Sequence, residues 1–546
     1  GNIGRQVMLS SEELLHYNAS VNDVHNIDVL LGVNTNKEQA FSMYGYGLRG
    51  VSDDVYYYNP QKVPPVVNHG TPEFPDYAAT RYYSSDFTEK RMVSYFGRLG
   101  YNYKQRYLLE FTFRRDGSST FGEGNRWANF PSVAVGWSFS EEPFIKRLTG
   151  GWLNWGKIRG SYGKSGQTFT SAYLAHGLMN IMDKSFFGKT GITTDKPVSP
   201  YLTWEKTRQY DLGLDMDMFN YRLNVKLDYY YKYTSSLIYD IPIPGSLYAF
   251  GAQVENAMEI SNEGLELELQ ADILRESAVS WRMKFNMARN WNRFEKSYSG
   301  KDVVDGDGTL LVVGRPLNGL YVWAHRGYYN SDAEVPRLYK IDGQEIYFNG
   351  VATNGISGAV GDYRLLDLDG DGNPDSYYAG SPLPLAHGGW VNELMWKNFD
   401  LNVLVNFTIG RKMINNRMGL GFSRQSEDGH LTKLFDYRKL RPWDGVNKKP
   451  NAPAWGNSLS MNTDSAIEKV HHLALKQITL GYNLPDRISK KAGLSGVRFF
   501  LTAENLFYLS NYSGGNPEVV NIYTGRDNGD TYPLPRKYTL GLTLNF

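Results

Sequence analysis

The 546-residue chain contains no cysteine, which removes disulfide scaffolds, thiolate zinc sites and cysteine nucleophiles together. It lacks a charge bias as well: 58 Lys plus Arg stand against 57 Asp plus Glu, a net charge of +1. Nucleic acid is therefore not an expected partner, since binding it needs a basic stripe to displace phosphate counterions. No apolar run reaches the roughly 18 residues of a transmembrane helix. The chain does not open with a basic segment followed by an apolar one, so any secretory signal has been removed or lies upstream. Helical periodicity is nearly absent, and short helices are expected only over 143–149 and 485–492. What is abundant is Tyr (40), Phe (26), Trp (12) and Gly (56). So aromatic a chain has the apolar surface that disordered chains lack.

The dominant pattern has period 2. In 222–233, Leu223, Val225, Leu227, Tyr229, Tyr231 and Tyr233 fall in one register and Arg222, Asn224, Lys226, Asp228 and Lys232 in the other, which is a strand with one apolar and one polar face. The preceding stretch alternates likewise, and only Phe219, Asn220 and Tyr221 separate the two, as in a tight hairpin. The same alternation recurs at 265–272, 281–287, 399–407 and 537–546. Fifteen strands are expected: 12–22, 27–36, 90–102, 105–117, 126–140, 153–166, 204–219, 222–239, 254–272, 277–293, 385–396, 399–412, 464–483, 496–508 and 537–546. Many reach the roughly nine to eleven residues that cross a bilayer when tilted.

Connections alternate between short and long. The long ones are 37–89, 167–202, 294–384, 413–463 and 509–536, the pattern of outer-membrane barrels with tight periplasmic turns and large external loops. Only zero or two crossings fit between 293 and 385, so 319–329 is a candidate for an extra strand pair. A soluble sandwich or propeller also alternates, but its polar face is the outer one and its turns carry no long-and-short bias. The fold class expected is all-β, a transmembrane antiparallel β-barrel.

Several stretches carry a family resemblance: VSYFGRLGYNYKQRYLLEFTFRRDGSSTFGEGNRWANFPSVAVGWSFSEEPFIK at 93–146, WGKIRGSYGKSGQ at 155–167, WEKTRQYDLGLDMDMFNYRLNVKLDYYYKYTSSLI at 204–238, NEGLELEL at 262–269, GRPLNGLYVW at 314–323 and RKYTLGLTLNF at 536–546. Together they resemble the barrel of SusC/RagA-type TonB-dependent transporters, in that family's order and over essentially the whole chain. The resemblance implies a barrel of about 22 strands around a plug, of which this chain is the C-terminal part. The plug, the motif TonB grips and the N-terminal part of the same transporter would precede Gly1. It further implies an outer-membrane location, contact with outer-membrane lipid, a SusD-like surface lipoprotein as partner, and an oligosaccharide or oligopeptide as cargo. The terminal Phe546, in register with Tyr538, Leu540, Leu542 and Leu544, resembles the signal by which such barrels are recognised for insertion.

The sharpest local motif is DLDGDGNPD, with Asp367, Asp369, Asp371, Asn373 and Asp375 at calcium-loop spacing and Gly372 at the sharp turn. Tyr378 stands where an EF-hand has its bidentate Glu, so this is not an EF-hand. Two readings stay open, a Ca²⁺ ion in an external loop and a solvated acidic turn. VVDGDGT at 303–309 reads as a turn. Tyr56, Tyr57 and Tyr58 sit in an expected external loop, where girdle or partner packing competes with sugar stacking. The nine His fall in no hydrolase or metalloprotease frame, so neither an enzyme nor an organic cofactor is expected. The competing class is a secreted, calcium-stabilised β-rich adhesin or glycan-binding module.

Overall fold

A computed structural model describes residues 2–47, 66–68, 77–79, 81–169, 171–177, 179–186, 189–194, 197–248, 250–275, 277–304, 310–335, 337–339, 345–347, 360–368, 375–416, 441–446, 449–454, 463–529 and 531–546. Fifteen long strands follow one another in sequence order through one sheet. They are β1 (Asn2–Val21), β2 (His25–Gly47), β3 (Arg81–Tyr103), β4 (Tyr107–Ser118), β5 (Trp127–Trp137), β6 (Leu153–Gln167), β7 (Glu205–Met218), β8 (Leu223–Pro242), β9 (Ala252–Leu274), β10 (Val279–Lys296), β11 (Ala386–Trp396), β12 (Phe399–Asn415), β13 (Ile467–Asn483), β14 (Gly496–Ser510) and β15 (Lys537–Asn545). Among the described residues the short α-helices are α1 (Pro143–Thr149), α2 (Gly245–Tyr248) and α3 (Asp486–Ser489). Proline at the first turn starts α1, and Gly150 at φ 55° ends it, the usual asymmetry of helix ends. Two compact units are formed: Gly1–Trp137 with Arg159–Tyr210 and Lys232–Glu259, and Ser138–Ile158 with Asp211–Tyr231 and Ile260–Phe546.

Each expected strand overlaps one of the fifteen, but several run further. β2 and β3 pair without interruption up to Gly47 opposite Arg81, so the connection expected at 37–89 shortens to 48–80. The extension opens with the polar Lys37, Glu38 and Gln39 before Phe41 pairs with Phe87, and backbone pairing needs no apolar side chain to cross that stretch. No extra strand pair enters the sheet at 319–329, because β10 pairs directly with β11, from Val279 opposite Trp396 to Ala288 opposite His387. Instead Leu320–Trp323 pairs with Ser376–Gly380, and His325–Tyr328 with Tyr363–Leu365, as separate two-stranded sheets.

In the first unit the antiparallel registers of β1 to β5 stack side chains into rows. On one face, successive rows read Val21–His25–Tyr103–Tyr107–Trp137, Ala19–Ile27–Tyr101–Leu109–Val135, Tyr17–Val29–Leu99–Phe111–Val133, Leu15–Leu31–Gly97–Phe113–Pro131, Glu13–Val33–Tyr95–Arg115–Asn129 and Ser11–Thr35–Val93–Gly117–Trp127. Aromatic rows bound an apolar middle. Six rows span about 34 Å along a strand, or about 26 Å of height at a tilt near 40°, matching the apolar band of a membrane barrel. On β4 the apolar Leu109, Phe111 and Phe113 are exposed while Leu108, Thr112 and Arg114 on the other face are half-buried. That inverts the burial rule of a soluble domain, and contiguous exposed apolar surface of this extent marks a contact with lipid or protein.

The other face of the same strands is polar and internally paired. Asp28 accepts from Arg98 at 2.7 Å and contacts His16 at 2.5 Å. On this face Phe130, with Phe121 and Trp204, forms a buried aromatic cluster, with Phe121 and Trp204 centroids 4.9 Å apart. Trp204, which opens the WEKTRQ stretch, donates its indole N–H to the Arg126 carbonyl at 3.2 Å, which satisfies its one polar atom.

The second unit repeats the arrangement. Trp281–Leu394–Leu401–Leu480–Leu501–Leu540 is one continuous apolar row across β10 to β15. The row on the opposite face beside it, Arg282–Glu393–Asn402–Thr479–Thr502–Thr539, carries charge and hydroxyls. Asn392 lies on the apolar face, and its side-chain carbonyl accepts from the Trp281 indole at 3.2 Å.

Candidate functional site: the polar face and the segment tied to it

The functional surface of the second unit is built around a break in β12. Pairing steps from Thr408 opposite His472 to Arg411 opposite Val470, so Ile409 and Gly410 form a bulge with one residue more than β13 supplies. Gly410 takes φ 72°, a conformation side chains resist. Without the extra residue Arg411 would share the apolar face with Phe407; with it, Arg411 joins Asn406 and Thr408 on the polar face.

There Arg411 is 95% buried, with 5% of its surface exposed, and it donates to three backbone carbonyls. Nη1 reaches Pro517 at 3.2 Å, and Nη2 reaches Val520 at 3.0 Å and Asn521 at 2.7 Å. The segment that follows β14 is thereby tied to the polar face. Arg526–Asp527 extends the attachment as a short strand parallel to Ile414–Asn415. Tyr512 donates to Asp527 at 2.7 Å, and Tyr512 and Val520 pack on Met413 and Val470 in a buried cluster. The connection expected as an external loop at 509–536 is thus folded onto β12 and β13.

Between this segment and the wall lies a cavity of about 410 Å³ lined by Asn286, His387, Asn406, Thr408, His472 and Glu518, with Gly389 and Arg411 beside them. The lining mixes amide, hydroxyl and imidazole groups with the Glu518 carboxylate and the apolar Val391, Leu404, Phe407, Val520 and Ile522, so it offers a ligand both hydrogen bonds and apolar contact. Glu518 contacts His472 at 3.7 Å and Lys476 at 3.3 Å, and these partners, His472 first, hold its carboxyl below the usual range. Because its folded pKa is depressed, this anchor contributes at neutral pH and is lost as the pH falls through the carboxylate range. The adjacent His471 and His472 lie in successive positions of β13, pointing to opposite faces.

Leu320, Val322 and Ala379 pack on Ile414 of β12 in a buried core. His325 pairs with Asp464, which also accepts from Tyr377 at 3.2 Å. Burial, with Tyr378 next to it, pushes the Tyr321 phenol up to about 12.

Of the proposed calcium ligands, Asp369, Asp371 and Asn373 lie outside the described residues, as do Tyr56, Tyr57 and Tyr58. Asp367 and Asp375 flank the loop between two short strands. Asp375 Oδ2 accepts from the Leu368 N–H at 2.5 Å, and the Asp375 N–H donates to the Leu366 carbonyl at 2.9 Å. One Asp375 oxygen therefore closes the loop base. Val303–Val304 pairs antiparallel with Leu310–Leu311, and the turn expected at 303–309 falls at 305–309, outside the described residues. Sequence reasoning missed Arg411, whose only signal was a glycine next to a cation pair, Arg411 and Lys412, where an alternating strand loses its phase.

A lipid-facing apolar band bounded by aromatic rows, with a polar opposite face, defines an outer-membrane β-barrel protein. The family described as TonB dependent receptor-like, beta-barrel matches residues 10–377, and the chain belongs to it. Among curated relatives, TonB-dependent receptor P26 of Formosa agariphila is 30% identical over 565 residues, covering 98% of this chain and 53% of the relative. TonB-dependent receptor SusC of Bacteroides thetaiotaomicron is 29% identical over 491 residues, covering 86% and 45%. Among solved structures, the RagAB peptide transporter superposes with TM-score 0.78 at 22% identity, covering 100% of this chain and 56% of that one. The RagAB peptide importer in the closed-closed state gives 0.79 at the same identity and the same coverages. The chain spans about half the length of the curated relatives it matches.

Proposed function

We propose that the complete protein imports a glycan or peptide nutrient across the outer membrane, driven through TonB and capped by a SusD-like surface lipoprotein. The observation that carries this reading is the pairing of a lipid-facing band with a polar face onto which Arg411 ties the segment after β14. A polar cargo needs a polar path, and this face supplies hydrogen-bonding groups along it. Membership of the TonB-dependent family and similarity to SusC support the energy source and the lipoprotein partner. TonB would engage the plug portion of the transporter, and the cargo would be an oligosaccharide or oligopeptide. Purification from native membranes in mild detergent, followed by mass spectrometry, is expected to recover the lipoprotein together with a bound oligosaccharide or oligopeptide. Recovery of a lone protein that stays dispersed without detergent would instead favour a secreted adhesin.

The orientation that goes with this function has its own test. In a chain without native cysteine, Tyr532→Cys, at the exposed long-connection end, is expected to react with an impermeant thiol reagent on intact cells. Asn220→Cys, in the tight turn between β7 and β8, is expected to stay unlabelled. The opposite pattern would invert the topology.

We further propose that the loop from Asp367 to Asp375 holds a divalent ion, Ca²⁺ by its oxygen ligands. Clustered carboxylates repel one another unless a cation lies among them. Terbium luminescence displaced by calcium, and lost in Asp371→Ala, is the expected result; an unchanged signal in that variant would leave a solvated turn.

A further inference from the structure

We propose that the lipid-facing surface of the first unit carries a specific site for an anionic lipid, with an acyl chain in the groove over Gly97 and the headgroup against Arg115, Lys37 and Arg91. Gly97 lies between Leu31 and Phe113 in the fourth row of the band, where a missing side chain leaves a notch. A Cβ there would come within 3.1 Å of Leu31 Cδ2. The notch opens into a groove of about 730 Å³ whose walls include Leu15, Leu31, Val33, Leu99, Phe111 and Phe113. These walls are apolar and face the bilayer, so the ligand portion they fit is a hydrocarbon chain.

Charge decides which lipid. Arg115 lies in the next row, exposed, with its guanidinium 5.4 Å from the Trp127 ring centroid, and among the described residues it has no carboxylate partner. Two rows further out, Lys37 stands opposite Arg91, and both share Glu89, at 3.4 and 2.6 Å. Counting Glu13, three cations face two carboxylates, so the rim is net positive where a headgroup would lie. Arg115 and Arg91 are about 14 Å apart along the sheet, from the strand rise and spacing. Side chains of that length, extended toward each other, can both meet an anionic headgroup placed between them. This rim is the end with the long connections, the external end of such barrels, so the leaflet concerned is the outer one.

The second unit supplies a comparison. Its apolar face has a groove of similar size, about 760 Å³, walled by Phe285, Met287, Trp390, Phe407, Leu473 and Leu509, and neither Lys nor Arg lines it. That groove fits any acyl chain; the one over Gly97 adds selection for negative charge.

The test is native mass spectrometry of the complete protein purified from its own outer membrane, stripped of loosely held lipid and titrated with phosphatidylglycerol or phosphatidylcholine. The parent is expected to retain an anionic lipid and to prefer phosphatidylglycerol. Arg115→Ala and Arg91→Ala should each weaken that binding about fivefold, the scale of one basic residue at an anionic membrane surface. Lys104→Ala, in the tight turn at the opposite rim, should leave it unchanged. Gly97→Leu should fill the groove and lose the lipid, and if it fails to insert, the two arginine variants still decide. Equal binding of both phospholipids, or arginine variants that match the parent or Lys104→Ala, would overturn the proposal. So would a changed oligomeric mass with unchanged lipid content, which would assign the face to a protein partner.

Discussion

Phe111→Arg is expected to lower the stability of the folded, membrane-inserted protein by about 2 to 4 kcal/mol, while Glu110→Arg, one residue away on the same strand, leaves it nearly unchanged. Phe111 occupies the third of six rows, near mid-bilayer, and 46% of its surface is exposed, to hydrocarbon rather than water. Arginine placed there must carry its charge into lipid or drag water and headgroups inward. Glu110 points to the opposite face, where both carboxylate and guanidinium are solvated. Urea titration in lipid vesicles, with the two variants run side by side, reads the difference. Equal losses at both positions would mean that the exposed apolar face is covered by protein and not by lipid.

Arg411→Ala is the second large effect expected. The substitution removes a buried guanidinium and leaves the carbonyls of Pro517, Val520 and Asn521 without their donor. Leaving a buried acceptor without its donor costs about 1 to 3 kcal/mol for each group. Much of that loss should appear locally, because Asp527 and Arg526 still pair along β12. The 511–529 segment is expected to gain fast amide exchange and new protease cleavage while the sheet keeps its protection. Arg411→Lys should rescue little, since one ammonium cannot reproduce a planar fork aimed at three acceptors. Uniform exchange across the whole chain in Arg411→Ala would show that the segment is not a separable unit.

How much of this was visible in the amino-acid sequence depends on whether a feature is written in side chains. The strands were legible because lipid on one face and water on the other force alternation, as with Leu109, Phe111 and Phe113 against Glu110, Thr112 and Arg114. Their ends were not: beyond Asn36, β2 continues through Lys37, Glu38 and Gln39 on main-chain bonds that leave no apolar signature. The bulge at Ile409–Gly410 was hidden for a related reason. A one-residue shift looks like the end of a pattern, and Arg411 beyond it looks like any cation near a loop. Its partners are carbonyls, which every residue has, so nothing in 511–529 announced the attachment. The acidic motif was legible as a spacing of carboxylates, but one of them, Asp375, also serves the backbone of its own loop.

The row structure of the first unit also bears on hydrophobic mismatch. A lone helix that is too long for its bilayer can lean over, because nothing fastens it sideways. Strands hydrogen-bonded to both neighbours in fixed register cannot lean one at a time, and their slope belongs to the whole sheet. The distance from the Tyr103–Tyr107–Trp137 row to the Trp127 row is therefore a rigid gauge of about 26 Å. A bilayer of another thickness must stretch or thin around it, at a fraction of a kcal/mol per Å. Membrane thickness is thus set locally by the protein, and lipids near this wall are sorted by chain length as well as by charge.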